Sequence, residues 1–359
     1  MQRRFAVVLL AAVALAAVFI LPARAANRDT HRAFRSSAHA LRAPRGADVA
    51  QKPSAPNVAW VAGAPMPVAL AEQGGGVAVK GFFWSIGGYN GGGTVQNNTQ
   101  RYNKTSNTWS AGAPIPGTGG GWADAAFCFD SAGKKIHVVN GVDGSFLYAA
   151  HQVYDPLADT WTFAAAPNIP VEGNYYSQDS GCAFIGGKMY LYGGYGLTDL
   201  GGVADLQTLT WVYDPATDTW ADTGKLMVTS YLWSGFTSTA TAAYAAGGVD
   251  LGFVPHNNTQ SFTPAGGWVA RAALPQALGG PGEGNISGRL VVWGGQTSAG
   301  TMSNKTYACT LPACASWSTA PFNIPAAKGY FAWGSGSSIY SAGGFDSAFA
   351  VLASSEHLP

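Results

Sequence analysis

The sequence predicts an all-β protein made of six copies of one structural unit, and two recurring features carry this prediction. A glycine doublet, replaced once by Asn-Gly, recurs at intervals of 47 to 54 residues, beginning at Gly87, Asn140, Gly193, Gly247, Gly294 and Gly343. A tryptophan recurs with it, at Trp60, Trp109, Trp161, Trp220, Trp268 and Trp317. Solenoid repeats are usually shorter, so a period near 50 indicates the blades of a β-propeller.

Each unit contains the elements of short antiparallel strands. The doublet ends a β-branched or aromatic run such as Phe82–Ile86 or Lys188–Tyr192, which is typical of a buried strand bounded by turns. Two glycines suit a strand end that needs positive φ, and Asn140 tolerates the same conformation. An aromatic residue, a polar hairpin and the tryptophan follow, most clearly in residues 154–161 and 213–220, where Asp-Pro supplies the turn.

The order Gly-Gly, Tyr-Asp-Pro and Trp resembles the kelch repeat over residues 57–359. This resemblance implies four antiparallel strands per blade, with the doublet after the second strand, the tyrosine on the third and the tryptophan on the fourth. Kelch units often carry an arginine shortly after the proline that follows the tryptophan, whereas these segments carry glycine and aromatic residues. An arginine-based mode of ligand binding is therefore not carried over.

The two ends of the repeat region predict how the ring closes. Residues 356–359 lie 12 to 15 positions after Gly344, where the third strand of a unit is expected, so the last unit lacks a fourth strand. Residues 57–65 match the fourth-strand segment 108–114. We therefore expect the N-terminal strand to complete the C-terminal blade of a six-bladed ring, which removes two open sheet edges.

The first 56 residues predict export. Residues 1–25 have the basic start, apolar run and small-x-small site of a cleaved secretory signal. An uncleaved anchor is the alternative, although 17 apolar residues are at the short limit for spanning a membrane. Residues 26–56 show no periodicity and predict a disordered basic spacer. We expect a secreted protein, extracellular or periplasmic, with no membrane span after cleavage.

Cysteine usage agrees with an oxidising compartment. Cys309 and Cys314 lie in a lengthened hairpin before Trp317, where a disulfide would staple the longer loop. Cys128 and Cys182 fall at nearly equivalent positions on the first strands of adjacent blades. They are either a second bridge or buried apolar side chains, and the sequence leaves both readings open.

The charge of the repeat region restricts the class of partner. Residues 57–359 contain 11 basic and 17 acidic residues, a net charge of −6 that disfavours nucleic acid. We expect a monomer without a cofactor, whose partner is a glycan or a protein.

Two loop sets are expected on one face of the propeller. The loops that enter four of the six blades carry aromatic residues, which suit sugar rings or peptide side chains unless they pack between blades as core: Trp122, Tyr175, Tyr176, Tyr231, Trp233, Tyr330 and Trp333. The loops that follow the doublets carry Asp143, Asp250 and Asp346, with Asn90 at the same offset. These side chains would bind a cation or ligand hydroxyls, or else stabilise their own turns.

Signatures of catalysis are weak. The six histidines share no metal-ligand spacing, so no metal site is expected, and nucleophile and phosphate-loop motifs are missing from the sequence. Galactose oxidase and the sialic-acid mutarotases share the kelch architecture, which is an analogy of fold and not of site. The leading hypothesis is a non-catalytic binding module. The rival is a sugar-transforming enzyme that uses channel carboxylates such as Asp124, Asp179 or Glu283.

Overall fold

The computed structural model describes residues 59–73, 76–79, 81–116, 122–142, 150–163, 176–197 and 205–359. All regular secondary structure within these ranges is β-strand, which confirms the all-β class. The described residues contain no helix that is long and apolar enough to cross a membrane. The proposed signal and spacer lie outside the described residues.

The strands form six four-stranded antiparallel sheets and one small three-stranded sheet within the described part of the chain. Sheets are numbered here from 1 to 6 by the order of their innermost strands. The first strand of the chain is β1 (Val61–Ala62). Sheet 1 contains the next four strands, β2 (Gly76–Val79), β3 (Phe82–Ile86), β4 (Thr99–Asn103) and β5 (Thr108–Gly112). Sheet 2 contains β6 (Ala126–Asp130), β7 (Lys135–Val139), β8 (His151–Asp155) and β9 (Thr160–Phe163).

Sheet 3 and the three-stranded sheet are interleaved in the chain. In order, the strands are β10 (Tyr176–Gln178), β11 (Gly181–Ile185), β12 (Lys188–Tyr192), β13 (Tyr195–Leu197), β14 (Asp205–Leu206), β15 (Thr210–Asp214) and β16 (Thr219–Asp222). β11, β12, β15 and β16 form sheet 3, and β10, β13 and β14 form the three-stranded sheet.

The remaining strands form sheets 4 to 6. Sheet 4 contains β17 (Gly235–Ser238), β18 (Ala243–Ala246), β19 (Thr259–Thr263) and β20 (Gly267–Ala270). Sheet 5 contains β21 (Gly282–Ile286), β22 (Arg289–Trp293), β23 (Thr306–Thr310) and β24 (Trp317–Thr319). Sheet 6 contains β25 (Ala332–Ser335), β26 (Ile339–Ala342) and β27 (Ser355–Leu358), with β1 as its outermost strand.

The innermost strands form a closed cycle around one axis. β2 contacts β6, and the contacts continue through β11, β17, β21 and β25 back to β2. Apolar clusters fill the interfaces between neighbouring sheets; one of them packs Trp84 and Ile86 of sheet 1 against Ile136 and Val138 of sheet 2. The fold is therefore a β-propeller, and six four-stranded sheets are what the predicted blade count requires.

The recurring aromatic residues make contacts within and between sheets, as sheet 2 illustrates. Tyr154 of β8 lies opposite Trp161 of β9, with ring centroids 5.0 Å apart, and its hydroxyl donates to Asp159 Oδ1 at 2.6 Å. Trp161 Nε1 donates to the carbonyl of Ala113, near the end of sheet 1, at 2.8 Å. Sheets 1 and 3 repeat the Tyr-Trp pair, with the tyrosine on the third strand and the tryptophan on the fourth. The repeated residues therefore make repeated contacts.

The doublets occupy positions where the backbone conformation demands them. Gly87 has φ +64°, and a Cβ atom there would collide with the carbonyl oxygen of Trp122. Asn140 replaces the first glycine of its doublet and has φ +57°. Its presence is consistent with the tolerance of asparagine for the left-handed region.

The predicted closure of the ring is confirmed. β1 pairs antiparallel with β27, placing Val61 opposite His357 and Ala62 opposite Glu356. Trp60, immediately before β1, packs on Trp293 of sheet 5 and donates from Nε1 to Thr306 Oγ1 at 3.2 Å. The N-terminal strand therefore supplies both the fourth strand of sheet 6 and a contact with sheet 5.

Both cysteine pairs lie at disulfide distance. The predicted Cys309–Cys314 pair has its Cα atoms 5.0 Å apart and bridges the hairpin after β23. Cys128 of β6 and Cys182 of β11 also pair, with Cα atoms 5.6 Å apart. The alternative that the sequence left open is thus decided in favour of a second bridge, which joins the innermost strands of sheets 2 and 3.

Candidate functional site at the axial mouth

Six equivalent residues encircle the propeller axis, one in the loop that enters each sheet. They lie 13 to 16 positions before the doublets and are Glu72, Asp124, Asp179, Trp233, Gly280 and Tyr330. We call this set the axial ring. The five non-glycine members all have positive φ, between 49° and 57°, a conformation that costs roughly 1–3 kcal/mol for each such residue. Strain repeated at one place in the fold is often associated with function.

Backbone hydrogen bonds connect the axial ring across the sheets. The amide of Glu72 donates to the carbonyl of Tyr330, that of Asp124 to Glu72, and that of Asp179 to Asp124, at 2.8, 3.1 and 2.8 Å. Gly280 donates to Trp233 at 2.9 Å and Tyr330 to Gly280 at 2.8 Å. These contacts explain the common backbone conformation of the five donors, because their amides must turn towards the neighbouring sheet.

The axial ring lies at the same end of the propeller as the loops that follow the doublets. The residue before Asp124, Ala123, forms a bridge with Val142, which follows the Asn140 doublet. Leu232 pairs with Val249 in the same way in sheet 4. In sheet 3 the corresponding pairing extends over more residues, because β10 pairs with β13 and forms part of the three-stranded sheet beside Asp179. This end of the axis is called the axial mouth below.

Three carboxyl groups of the axial ring are close together. Asp124 and Asp179 are 3% and 5% exposed, whereas Glu72 is half-buried. Asp124 and Asp179 form a hydrogen bond with each other, and Trp233 Nε1 lies 3.4 Å from Asp124 Oδ1. Gln178 Nε2 donates to Asp179 Oδ2 at 3.0 Å. Asp124 and Asp179 are called the acid pair below.

The environment raises the pKa of all three carboxyl groups. Burial, followed by the charge of Asp179, raises the pKa of Glu72 to about 8. Burial raises the pKa of Asp179 to about 7, against the opposing effect of its hydrogen bonds from Gln178 and Asp124. Burial and the charges of Asp179 and Glu72 raise the pKa of Asp124 well above its usual range. The cluster therefore retains protons near neutral pH.

A line of aromatic residues crosses the axial mouth. Trp233 contacts Phe253 and Tyr330, with ring centroids 6.1 and 5.3 Å away. Tyr330 contacts Phe345 at 6.2 Å, and Phe345 contacts Phe349 at 6.0 Å. All members except the buried Tyr330 are half-buried, so part of the line faces solvent. We call it the aromatic line.

Two cavities lie along the axis. A small one of about 20 Å³ is lined by Glu72, Asp179, Trp233 and Tyr330 among others, and has room for about one water molecule. A larger one of about 260 Å³ is lined by residues of all six innermost strands. Phe236 and Trp333 line both cavities. A ligand larger than water must therefore contact the acid pair from the open side of the mouth.

The aromatic residues predicted from the sequence have different surroundings. Trp122 is buried and donates from Nε1 to the carbonyl of Asn140, and Trp333 is buried and donates to the carbonyl of Phe236 at 2.9 Å. Tyr330 is buried within the aromatic line, and only Tyr231 and Trp233 are half-buried. Tyr175 and the side chain of Tyr176 lie outside the described residues. Their role in ligand binding stays a prediction.

The predicted acidic rim forms turns. Asp250 Oδ1 accepts from the amides of Gly252 and Val254, and Asp346 Oδ1 accepts from those of Ala348 and Ala350. Asn90 makes the same contacts in sheet 1. Asp143 lies outside the described residues. In the described ranges, no group of three or more His, Cys, Asp or Glu side chains is spaced to hold a metal ion.

The third channel carboxylate, Glu283, stands apart from the acid pair. It lines the larger cavity, is fully buried, and neither oxygen has a hydrogen-bond partner of standard geometry. Burial raises its pKa well above the usual range. Glu72, by contrast, was not among the residues that the sequence singled out. Glu72 lies 15 residues before its doublet, between the 16 residues of Asp124 and the 14 of Asp179, so aligning the six units would have identified it.

Comparisons with known proteins support the fold and leave the ligand open. No family model matches this sequence, and no curated protein matches it, so membership of the kelch family stays a prediction. The solved structure of YjhT, a β-propeller, superposes with a TM-score of 0.64 at 13% identity. The match covers 81% of this chain and 95% of YjhT. At this identity the similarity shows the fold alone.

Proposed function

We propose that the axial mouth binds a carbohydrate. The observation that carries this proposal is the aromatic line, with the half-buried Trp233 at its centre and carboxyl groups directly beside it. A flat apolar ring supplies contact area for one face of a sugar at low entropic cost. The neighbouring carboxyl groups accept and donate hydrogen bonds, as sugar hydroxyls require.

Export fits this proposal. Two disulfide pairs are consistent with an oxidising compartment, where a protein encounters glycans of cell surfaces and secreted polymers. We propose that the signal in residues 1–25 directs the protein there.

Catalysis on the bound sugar is the second candidate, and the raised pKa values favour it. A pair of carboxyl groups that shares one proton near neutral pH offers a general acid and a general base in one site. Opening and reclosing a sugar ring needs both, since a proton leaves the anomeric hydroxyl while another reaches the ring oxygen. In this scheme Asp124 and Asp179 exchange protons with the sugar, and Trp233 holds it against the mouth.

Binding is tested with a glycan array followed by calorimetry on the strongest hit. Trp233→Ala should weaken the affinity about 30-fold, since loss of a buried aromatic anchor costs roughly 2 kcal/mol. Leu157→Ala is the matched control, because Leu157 is a 95% exposed apolar residue in a hairpin of sheet 2 away from the mouth. Equal affinities for wild type and Trp233→Ala would refute the proposed site.

Turnover is tested on the sugar identified by the array. Nuclear magnetic resonance would follow the exchange of its anomers with wild type and with Asp179→Asn. Loss of exchange with binding retained supports the acid–base candidate. Binding without any exchange in wild type would leave a non-catalytic binding module.

A further inference from the structure

One of the two disulfides is accessible to small molecules. Cys128 and Cys182 both line the larger axial cavity, and Cys182 is partly exposed whereas Cys128 is 3% exposed. The lining also includes the exposed residues Ser131 and Ala240, in hairpins at the end opposite the axial mouth. A volume of about 260 Å³ accommodates a small thiol. Cys309 and Cys314, at 3% and 0% exposure, are buried in sheet 5 and offer no such approach.

The accessible disulfide is directly connected to the acid pair. Asp124 lies four residues before Cys128 at the entry to β6, and Asp179 lies three residues before Cys182 at the entry to β11. The amide of Asp179 donates to the carbonyl of Asp124 at 2.8 Å. The disulfide therefore holds together the two strands whose leading ends carry the acid pair.

We propose that Cys182 is a thiol-exchange site through which a low-molecular-weight thiol controls the acid pair. The thiolate of the small molecule attacks Sγ of Cys182, and the electron pair of the broken S–S bond leaves on Sγ of Cys128. Cys128 then takes a proton from water and becomes a thiol, while Cys182 carries the small molecule as a mixed disulfide. A second thiolate attacks this mixed disulfide, which frees the Cys182 thiolate and releases the oxidised small-molecule disulfide.

The surroundings of the two sulfurs define the direction of attack. Cys182 is the partly exposed member, so a thiol in the cavity reaches its sulfur first. His137 lies opposite Cys128 in the β6–β7 register and faces sheet 3, where its ring is 5.1 Å from that of Phe184. Burial lowers the pKa of His137 to about 4, so the cross-strand neighbour of Cys128 is a neutral imidazole.

Exchange changes the acid pair because it removes a covalent clamp. Without the bond, β6 and β11 can separate at their leading ends, which lets water reach the two buried carboxyl groups and also weakens the repulsion that Asp124 experiences from Asp179. The pKa of the acid pair should therefore move down towards the ordinary range of aspartate. Trp233 reports this change, because its Nε1 contacts Asp124 Oδ1 and its fluorescence responds to the charge of that carboxyl group.

The first experiment measures exchange in the folded, exported protein. Reduced glutathione is added without denaturant, free thiols are alkylated at intervals, and the modified residues are identified by mass spectrometry. We expect glutathione on Cys182 and alkylated Cys128, formed at least about ten times faster than any modification of Cys309 or Cys314. Equal rates for the two disulfides, or glutathione on Cys128 instead of Cys182, would overturn the proposal.

The second experiment measures the acid pair through a fluorescence titration. The double variant Cys128→Ser with Cys182→Ser should titrate about one pH unit lower than wild type. Cys309→Ser with Cys314→Ser is the matched control and should titrate like wild type. Trp233→Phe should abolish the signal and so identify its source. An unchanged midpoint in the Cys128/Cys182 variant would overturn the link.

This inference concerns how the site of the proposed function is regulated, and it rests on that function through the acid pair of the site. Neither readout requires a sugar or turnover. A failure to bind any glycan would therefore refute the proposed function and leave both of these measurements interpretable.

Discussion

A buried ion pair at the ring closure permits a quantitative test of the fold. Lys328, in the loop before β25, and Glu356, on β27 between β26 and β1, form an ion pair while 0% and 4% exposed. Lys328 Nζ also lies 3.2 Å from Ser354 Oγ and 5.3 Å from the ring centroid of Phe331. Glu356→Gln removes the negative partner and keeps the size and shape of the side chain.

The expected loss of stability follows from the protonation state of Lys328 once its ion-pair partner is removed. Burial lowers the pKa of Lys328 and Glu356 opposes that change, so without Glu356 the ammonium must stay unpaired or lose its proton. Removing a proton at pH 7 from a group with an ordinary pKa of about 10.4 costs about 4.6 kcal/mol, which is an upper limit for the penalty. Broken buried pairs typically cost about 3–5 kcal/mol. We expect the free energy of unfolding to fall by about 3 to 4.6 kcal/mol at pH 7.

The penalty should depend on pH in a defined direction. In Glu356→Gln the folded state favours neutral lysine, so its pKa lies below the unfolded value and stability rises as pH rises towards 10.4. The upper limit falls to about 2 kcal/mol at pH 9. The difference in stability between wild type and variant should therefore shrink by about 1.4 kcal/mol for each pH unit, once Lys328 is neutral in the folded variant.

Urea unfolding at pH 7 and pH 9, followed by tryptophan fluorescence, measures both effects. The matched control is Asp214→Asn, which breaks the exposed Lys188–Asp214 pair in sheet 3 and should change stability little at either pH. A loss below about 1 kcal/mol in Glu356→Gln, or a loss that does not change with pH, would show that the pair is hydrated and would refute this reasoning.

Three further predictions concern pH and closure. Burial lowers the pKa of His137 to about 4 and that of His151 to about 3. The free energy of unfolding should therefore fall as pH drops below 6.5, by up to about 1.4 kcal/mol per pH unit for each histidine. In His137→Gln, urea unfolding should show a weaker dependence of this free energy on pH. Because the pKa of Asp179 is raised to about 7, its contribution is complete below about pH 4 and is lost as pH rises through 7. Asp179→Asn should therefore remove this decline, and parallel stability curves would contradict it. Deleting residues 1–66 removes β1 and should lower the melting temperature well below that of a protein lacking residues 1–50; equal melting temperatures would argue against closure by β1.

The fold was largely predictable because its contacts repeat with the sequence. The pair of Tyr154 and Trp161 recurs in sheets 1 and 3, where the tyrosine and tryptophan again lie opposite each other on the third and fourth strands. Asn140 could be recognised as a doublet because only a few residue types adopt its positive φ. The closure by β1 followed from counting strands at the two ends, which requires no three-dimensional information.

The candidate site was less predictable, because a residue type does not define a side-chain direction. Tryptophan is a residue type common in ligand-binding surfaces, yet the side chains of Trp122 and Trp333 are both buried. Asp250 and Asp346 cap their own turns, which was the simpler of the two interpretations offered by the sequence. Glu72 has no sequence neighbour that suggests a site, and only its place in the axial ring brings it near Asp179.

The sequence by itself determined the all-β class, the repeated unit, the strand that closes the ring and the Cys309–Cys314 pair. These features depend on local order and spacing, which a chain carries before it folds. Tertiary structure alone decided that Cys128 pairs with Cys182, and that three carboxyl groups separated by more than 50 residues in the chain share one mouth. Their raised pKa values follow from burial and mutual repulsion, which exist only once the innermost strands stand around a common axis.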